Sequence, residues 1–221
     1  MQRERLTLMI IEVERISKVF NGRTIFKNLS YRFAPGKSYV IAGANGSGKS
    51  TVLRILAGLI QPSAGVITME VEGKLLQHPH ERGQYLGYIS PDLNLYNQLS
   101  AFENLYFFAS LKGMEPSRDS ILALLTEVQL KGYAEQSVAS FSTGMKQRLK
   151  LAYALLHQPA MLLLDEPATN LDQQGKELVE KIIYRQRDKG IVIMASNEPG
   201  EVEKYGEGIV CLDVQPVGVG T

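Results

Sequence analysis

Val40-Ile41-Ala42-Gly43-Ala44-Asn45-Gly46-Ser47-Gly48-Lys49-Ser50-Thr51 decides the fold: a short apolar run enters a glycine-rich turn, and the turn opens a helical segment. Gly43, Gly46 and Gly48 let the backbone curl so that successive N–H groups point into one concavity. The helix that follows adds its N-terminal partial positive charge to the same place. Lys49 has the reach for the outer phosphates of a nucleotide, and the Ser50 hydroxyl suits a magnesium ion. The eight-residue pattern Gly-x4-Gly-Lys-Ser between an apolar strand and an apolar helix predicts a cradle for a nucleoside triphosphate.

Outward from that stretch, composition sets the bounds. The chain has 221 residues, 44% of them hydrophobic, enough for one well-packed domain with a smaller inserted lobe. Twenty-four Lys plus Arg against twenty-three Asp plus Glu leave a formal charge of +1, so no global field favours nucleic acid or an anionic membrane. The single cysteine, Cys211, sits in the apolar run Ile209-Val210-Cys211-Leu212 and reads as a buried inert thiol, in a chain suited to a reducing compartment. No apolar stretch approaches the roughly 20 residues of a membrane span, and Leu6 to Ile11 is too short for a signal peptide, so a cytoplasmic location is expected. Met1 to Leu8 reads as an extension before the first strand, and Gln215 to Thr221 as a loose tail.

Upstream of the cradle, Ile10 to Phe33 alternates branched or aromatic with polar residues around Asn21-Gly22, the pattern of an antiparallel hairpin. Phe20, just before that turn, is either plain core or an aromatic that stacks on a base. Downstream, a helix is expected over Ser50 to Leu59, stopped by Gln61 to Gly65, then strands over Val66 to Val71 and Tyr85 to Ile89. His78 and His80 flank Pro79 in a polar segment and read as solvated loop, since no third ligand lies near. His157, before Pro159, reads as a helix C-terminal cap. Helical patterns then dominate: Ala101 to Leu111, opened by a Ser100/Glu103 capping box and ended by Gly113; Ser117 to Leu130, broken at Gly132; and Ser142 to Leu156. The last third alternates strand and helix: Met161 to Leu164, Gln173 to Asp188, Ile191 to Met194 and Ile209 to Leu212. That pattern implies a parallel sheet covered on both faces.

Asp165-Glu166 follows four apolar residues and therefore stands at the carboxyl end of a buried strand, where open parallel sheets bind ligands. Asp165 is placed to complete a magnesium shell with Ser50, and Glu166 to orient or deprotonate an attacking water.

Four segments now stand in one order: Gly43 to Ser50, Phe141-Ser142-Thr143-Gly144-Met145-Lys146-Gln147-Arg148, Leu162-Leu163-Leu164-Asp165-Glu166-Pro167, and Thr169-Asn170-Leu171-Asp172. Together they resemble the ATP-binding cassette ATPases over about residues 9 to 213. The resemblance implies an α/β P-loop NTPase core with a mostly parallel sheet, an N-terminal antiparallel β subdomain and an inserted α-helical subdomain. All of this lies in one ATPase domain, with core at 1–90 and 158–213, helical part at 91–157 and tail at 214–221. It further implies that ATP and Mg2+ are bound. Phe20 and Asn45, Gly46, Ser47, Gly48, Lys49, Ser50 and Thr51 would contact ATP from one copy, and Ser142 and Gly144 from a second copy in a head-to-tail dimer. Ser50 and Asp165 would hold the metal, and Glu166, Lys49 and Asn197 would form the catalytic set. Asp172 would couple the two sites; read alone, Ser142 and Asp172 are each a helix N-cap.

The Ser-x-Gly-Met-Lys-Gln-Arg form resembles the branch that powers small exporters. That implies a separately encoded membrane permease, received near Pro91 to Leu111, which would hold the chain peripherally on the cytoplasmic face of the membrane. The chain departs from the family pattern at several positions. Thr143 and Met145 replace a glycine and a glutamine of the signature, Pro91 stands where a glutamine is usual, and Asn197 stands where a histidine contacts the γ-phosphate. An amide offers a hydrogen bond but no imidazole proton or charge, so slow hydrolysis with intact ATP binding is expected. The competing expectations are a nucleotide-gated partner without hydrolysis and a soluble cassette ATPase acting on nucleic acid or ribosomes, the latter without support from charge or length.

Overall fold

The computed structural model describes residues 7–212. The expected tail over 214–221 lies outside the described residues, as do residues 1–6 of the expected N-terminal extension.

The hairpin forms as its alternation requires, with β1 (Met9–Phe20) and β2 (Arg23–Phe33) paired antiparallel about Asn21-Gly22. The chain then runs through β3 (Lys37–Ala42) and the glycine loop into α1 (Lys49–Leu56). That helix is shorter than the sequence suggests. Gly58, at φ +76°, turns the chain out before Gln61-Pro62 is reached. Next come β4 (Ala64–Val71), β5 (Lys74–Leu75) and β6 (Leu86–Ile89).

Three helices follow. The first, α2 (Ala101–Leu111), opens on the expected capping box: Glu103 N–H donates to Ser100 Oγ over 3.1 Å, and Ser100 N–H donates to the Glu103 carboxylate over 2.8 Å. The second, α3 (Arg118–Glu127), ends before Leu130 because Gln129 adopts a left-handed conformation at φ +60°, ahead of Gly132. The third is α4 (Thr143–Leu155). The chain closes with β7 (Met161–Asp165), α5 (Gln173–Arg187), β8 (Ile191–Ser196), α6 (Pro199–Tyr205) and β9 (Gly208–Cys211). The short α6 has Pro199 in its first turn and carries no sequence periodicity long enough to announce it.

Two sheets result. The antiparallel one has the order β2-β1-β4-β5, and the parallel one the order β6-β7-β8-β3-β9. The side-chain period of two along the central parallel strands divides the interior into two cores. Val40, Leu162, Leu164, Val192 and Met194 pack with residues from α2 to α5, whereas Ile41, Met161, Leu163, Ile191 and Ile193 pack with α1 and the antiparallel sheet. Because β7 and β8 are buried on both faces, they read as unbroken apolar runs, each large side chain contributing about 1.5–3 kcal/mol.

Two expectations fail. Cys211 is exposed. It lies on β9, the edge strand of the sheet, where only Val210 and Leu212 of the run turn inward and Ile209 and Cys211 face out. His157 does not cap α4: Leu156 takes that position and both imidazole nitrogens lack a hydrogen-bond partner. The half-buried ring is pushed down to about 4 by burial, with the charge of Lys112 adding to the effect.

Candidate nucleotide site

At the carboxyl edge of the parallel sheet, three neighbouring strands, β7, β8 and β3, deliver Asp165-Glu166, Ser196-Asn197 and the Gly43–Gly48 loop side by side. Strand spacing of about 4.8 Å keeps these groups within reach of one small ligand.

The loop is built from its own backbone. Ser47 N–H donates to Ala44 O over 3.1 Å, and Gly48 forms the left-handed N-cap of α1 at φ +100°. A Cβ on Gly48 would come within 2.5 Å of Ile25 Cγ2, so the missing side chain is what lets the loop lean on β2. Lys49 is only 6% exposed. Its ammonium donates to Gly43 O at 2.8 Å and Ala44 O at 3.1 Å, lying across the mouth of its own loop. Ser47 Oγ is buried without a hydrogen-bond partner.

Ser50, on the first turn of α1, donates to Asp165 Oδ1 over 3.0 Å. Asp165 is 3% exposed and its Oδ2 has no partner. Burial raises this carboxyl above the ordinary carboxylate range. The Ser50 hydrogen bond works against that rise, the neighbouring Glu166 adds to it, and Arg54 and Lys49 oppose it. A buried carboxylate oxygen without a donor, beside a hydroxyl, is an oxygen-rich pair suited to a hard divalent cation. Glu166, exposed, stands in the left-handed region at φ +50° as the chain leaves β7, a conformation uncommon for a side-chain-bearing residue and frequent at functional sites. Asn197 reaches across from β8, its Nδ2 donating to Asn45 Oδ1 over 3.0 Å.

Phe20 is not core. It is 45% exposed at the tip of the hairpin, with Lys18 Nζ 4.6 Å from its ring centroid, which leaves an aromatic face for stacking. Ser142 and Gly144 lie at the start of α4. Ser142 Oγ caps α4 by accepting from Met145 N–H at 3.2 Å, and its side chain is exposed. Asp172 likewise caps α5, accepting from Gly175 N–H at 2.8 Å. It also pairs with Arg148 at 3.1 Å, and these contacts hold its carboxyl below the ordinary range, the Gly175 bond foremost.

Two residues were legible in the quoted Phe141–Arg148 segment yet carried no assigned role. Gln147 Nε2 donates to Pro167 O over 3.1 Å, and Arg148 bonds both Asp172 and Gln129. They tie the start of α4 to the turn that follows Glu166. At Pro91, where the glutamine is absent, the backbone carbonyl accepts from Lys150 Nζ at 2.9 Å and Asp92 pairs with Arg54.

The ABC transporter family model matches residues 26–169. The lantibiotic transport ATP-binding protein SrtF of Streptococcus pyogenes is 35% identical over 201 residues, covering 90% of this chain and 85% of that protein. The cytochrome c biogenesis ATP-binding export protein CcmA of Vibrio parahaemolyticus is 34% identical over 188 residues, covering 84% and 90%. A solved structure of an ATP-binding subunit of an ABC transporter superposes with a TM-score of 0.81 at 26% identity, covering 92% of this chain and 85% of that one. By that family match, those relatives and that superposition, this chain belongs to the ABC transporter family and folds as that family's ATPase domain.

Proposed function

We propose that the chain is the MgATP-hydrolysing motor of an exporter, acting on a membrane permease made as a separate chain. The observation that carries the reading is the Ser50 Oγ to Asp165 Oδ1 contact of 3.0 Å at the foot of the glycine loop, with Asp165 Oδ2 buried and unpartnered beside it. Ser50 and Asp165 would hold Mg2+, which when bound neutralises phosphate charge. The N–H groups of Asn45 to Ser50 and Thr51 receive the phosphates, Lys49 moves from its carbonyls to the outer phosphates, and Phe20 stacks on the base. Glu166 orients the attacking water and accepts its proton.

Ser142 and Gly144 serve a second copy. The uncovered N-terminus of α4 is a donor surface for a γ-phosphate arriving across an interface, so two copies close on two nucleotides. The permease is received beside α2, where Tyr96, Tyr106 and Leu111 are exposed next to a depression of about 430 Å³ lined by Leu93, Lys112 and Tyr153. Among the described residues no helix is long and apolar enough to cross a membrane, consistent with a separate permease. The roles of the relatives SrtF in lantibiotic transport and CcmA in export support the exporter assignment.

Asn197 slows the chemistry, because an amide supplies no imidazolium charge near the γ-phosphate. Phosphate release from the purified chain is therefore slow, and Asn197→His raises it; if the histidine variant is no faster, this account of Asn197 is wrong. The second reading, a nucleotide-gated partner without hydrolysis, is favoured by the same residue and by Pro91. It predicts no phosphate release even with the permease present.

A further inference from the structure

The amide at Asn197 does something an account of missing charge leaves out. Its Nδ2 bonds Asn45 Oδ1 at the tip of the glycine loop, joining residues 152 positions apart in sequence. The segment that presents Asn197 is itself fixed: Ser196 is 2% exposed, its Oγ donates to Glu201 Oε2 over 2.6 Å, and it accepts from Glu198 N–H over 3.0 Å. Behind the loop lies an open depression of about 660 Å³, lined by Asn45, Asn197, Pro199, Val202, Glu203 and Ile209 among others. The tip of the loop therefore has space on that side, and the Asn pair spans it. On the inner side the loop is held by Lys49, whose ammonium donates to Gly43 O and Ala44 O and, in the nucleotide reading, would turn from them toward a phosphate.

From this arrangement we infer that Asn197 is a positioning residue acting through Asn45: the pair is a clasp that keeps the loop in its phosphate-ready curve once Lys49 leaves it. The inference rests on the nucleotide reading above and adds a role for Asn197 that does not need a γ-phosphate. A clasp on the loop supports every nucleotide whose phosphates enter the cradle. A contact to the γ-phosphate supports ATP alone.

The test is a double-mutant cycle of Asn45→Ala, Asn197→Ala and the double variant, with Kd measured for MgADP and for a non-hydrolysable MgATP analogue. Each single variant weakens MgADP by about three- to tenfold, the size of one net hydrogen bond, and the double variant is no weaker than the singles. Both side chains are exposed, so melting temperature without nucleotide stays at the wild-type value, which separates the clasp from a general structural role. Losses that multiply in the double variant, or a loss confined to the ATP analogue, overturn the clasp. If the wild-type chain binds neither nucleotide, the nucleotide reading falls, and the clasp with it.

Discussion

Gly46 and Gly73 share a backbone conformation, with φ of +81° and +79°, and a Cβ built on either meets no protein atom within 4 Å. They differ in the loops they belong to. Gly73 lies in the tight turn between β4 and β5, whereas Gly46 lies in the loop between β3 and α1. Substituting alanine puts an L-residue into the left-handed region at both places and costs about 1–2 kcal/mol each. For a chain of this size that lowers the melting temperature by about 2–8 °C. Gly46→Ala and Gly73→Ala should therefore melt alike. They should part on nucleotide binding. If the loop is the proposed phosphate cradle, a methyl at Gly46 crowds it, so Kd for MgATP rises at least about tenfold, equivalent to about 1.4 kcal/mol. At Gly73 the affinity stays within about twofold of wild type. Thermal unfolding in the absence of ligand and titration calorimetry with MgATP read the two quantities separately. If Gly46→Ala binds MgATP as tightly as Gly73→Ala does, the cradle is not where phosphate sits and the reading of the loop is wrong.

Two further outcomes follow from the site and its surroundings. On the proposed mechanism, Glu166→Gln keeps the loop, the Ser50–Asp165 pair and the N-terminus of α4 but removes the proposed proton acceptor, so the variant should accumulate as an ATP-bound dimer in gel filtration; a monomer under saturating MgATP would count against the two-copy arrangement. His157 gives a pH signature of folding. Its folded pKa, pushed down to about 4, lies below the ordinary 6.5, so between those values the unfolded chain binds the extra proton and stability falls as pH is lowered. His157→Phe keeps a ring in the half-buried space and should make the fall in melting temperature between pH 6.5 and 4 shallower; an unchanged slope would refute the assignment.

What the sequence discloses about this molecule is local. The Ser100/Glu103 capping box, the Asn21-Gly22 turn and the Gly-x4-Gly-Lys-Ser loop are legible because their signals lie within a few residues of the structure they make. The apolar runs of β7 and β8 are legible because burial on both faces removes the need for polar alternation. The same reasoning fails at Cys211, since an apolar run on an edge strand has one face without a neighbour and nothing local marks the edge. It fails for α6, whose seven residues are fewer than two full repeats of an amphipathic pattern need. Within the site, Ser50 and Asp165 could be paired from motif order alone. The Asn45 to Asn197 bond could not, because it depends on β8 lying next to β3 in the sheet, and strand order is a tertiary fact. Likewise the Arg148–Asp172 pair and the Gln147 to Pro167 bond require the start of α4 to lie over the turn after β7.

The lysine resting on its own loop carbonyls has a consequence for the catalytic cycle. In the proposed cycle an ammonium that already has two acceptors would trade them for phosphate oxygens, making substrate entry an exchange of partners around a standing scaffold. When product departs, the same two carbonyls would take the charge back, and the turn would not have to be rebuilt. Between strokes the engine idles with its seat held in shape by the part that grips the fuel.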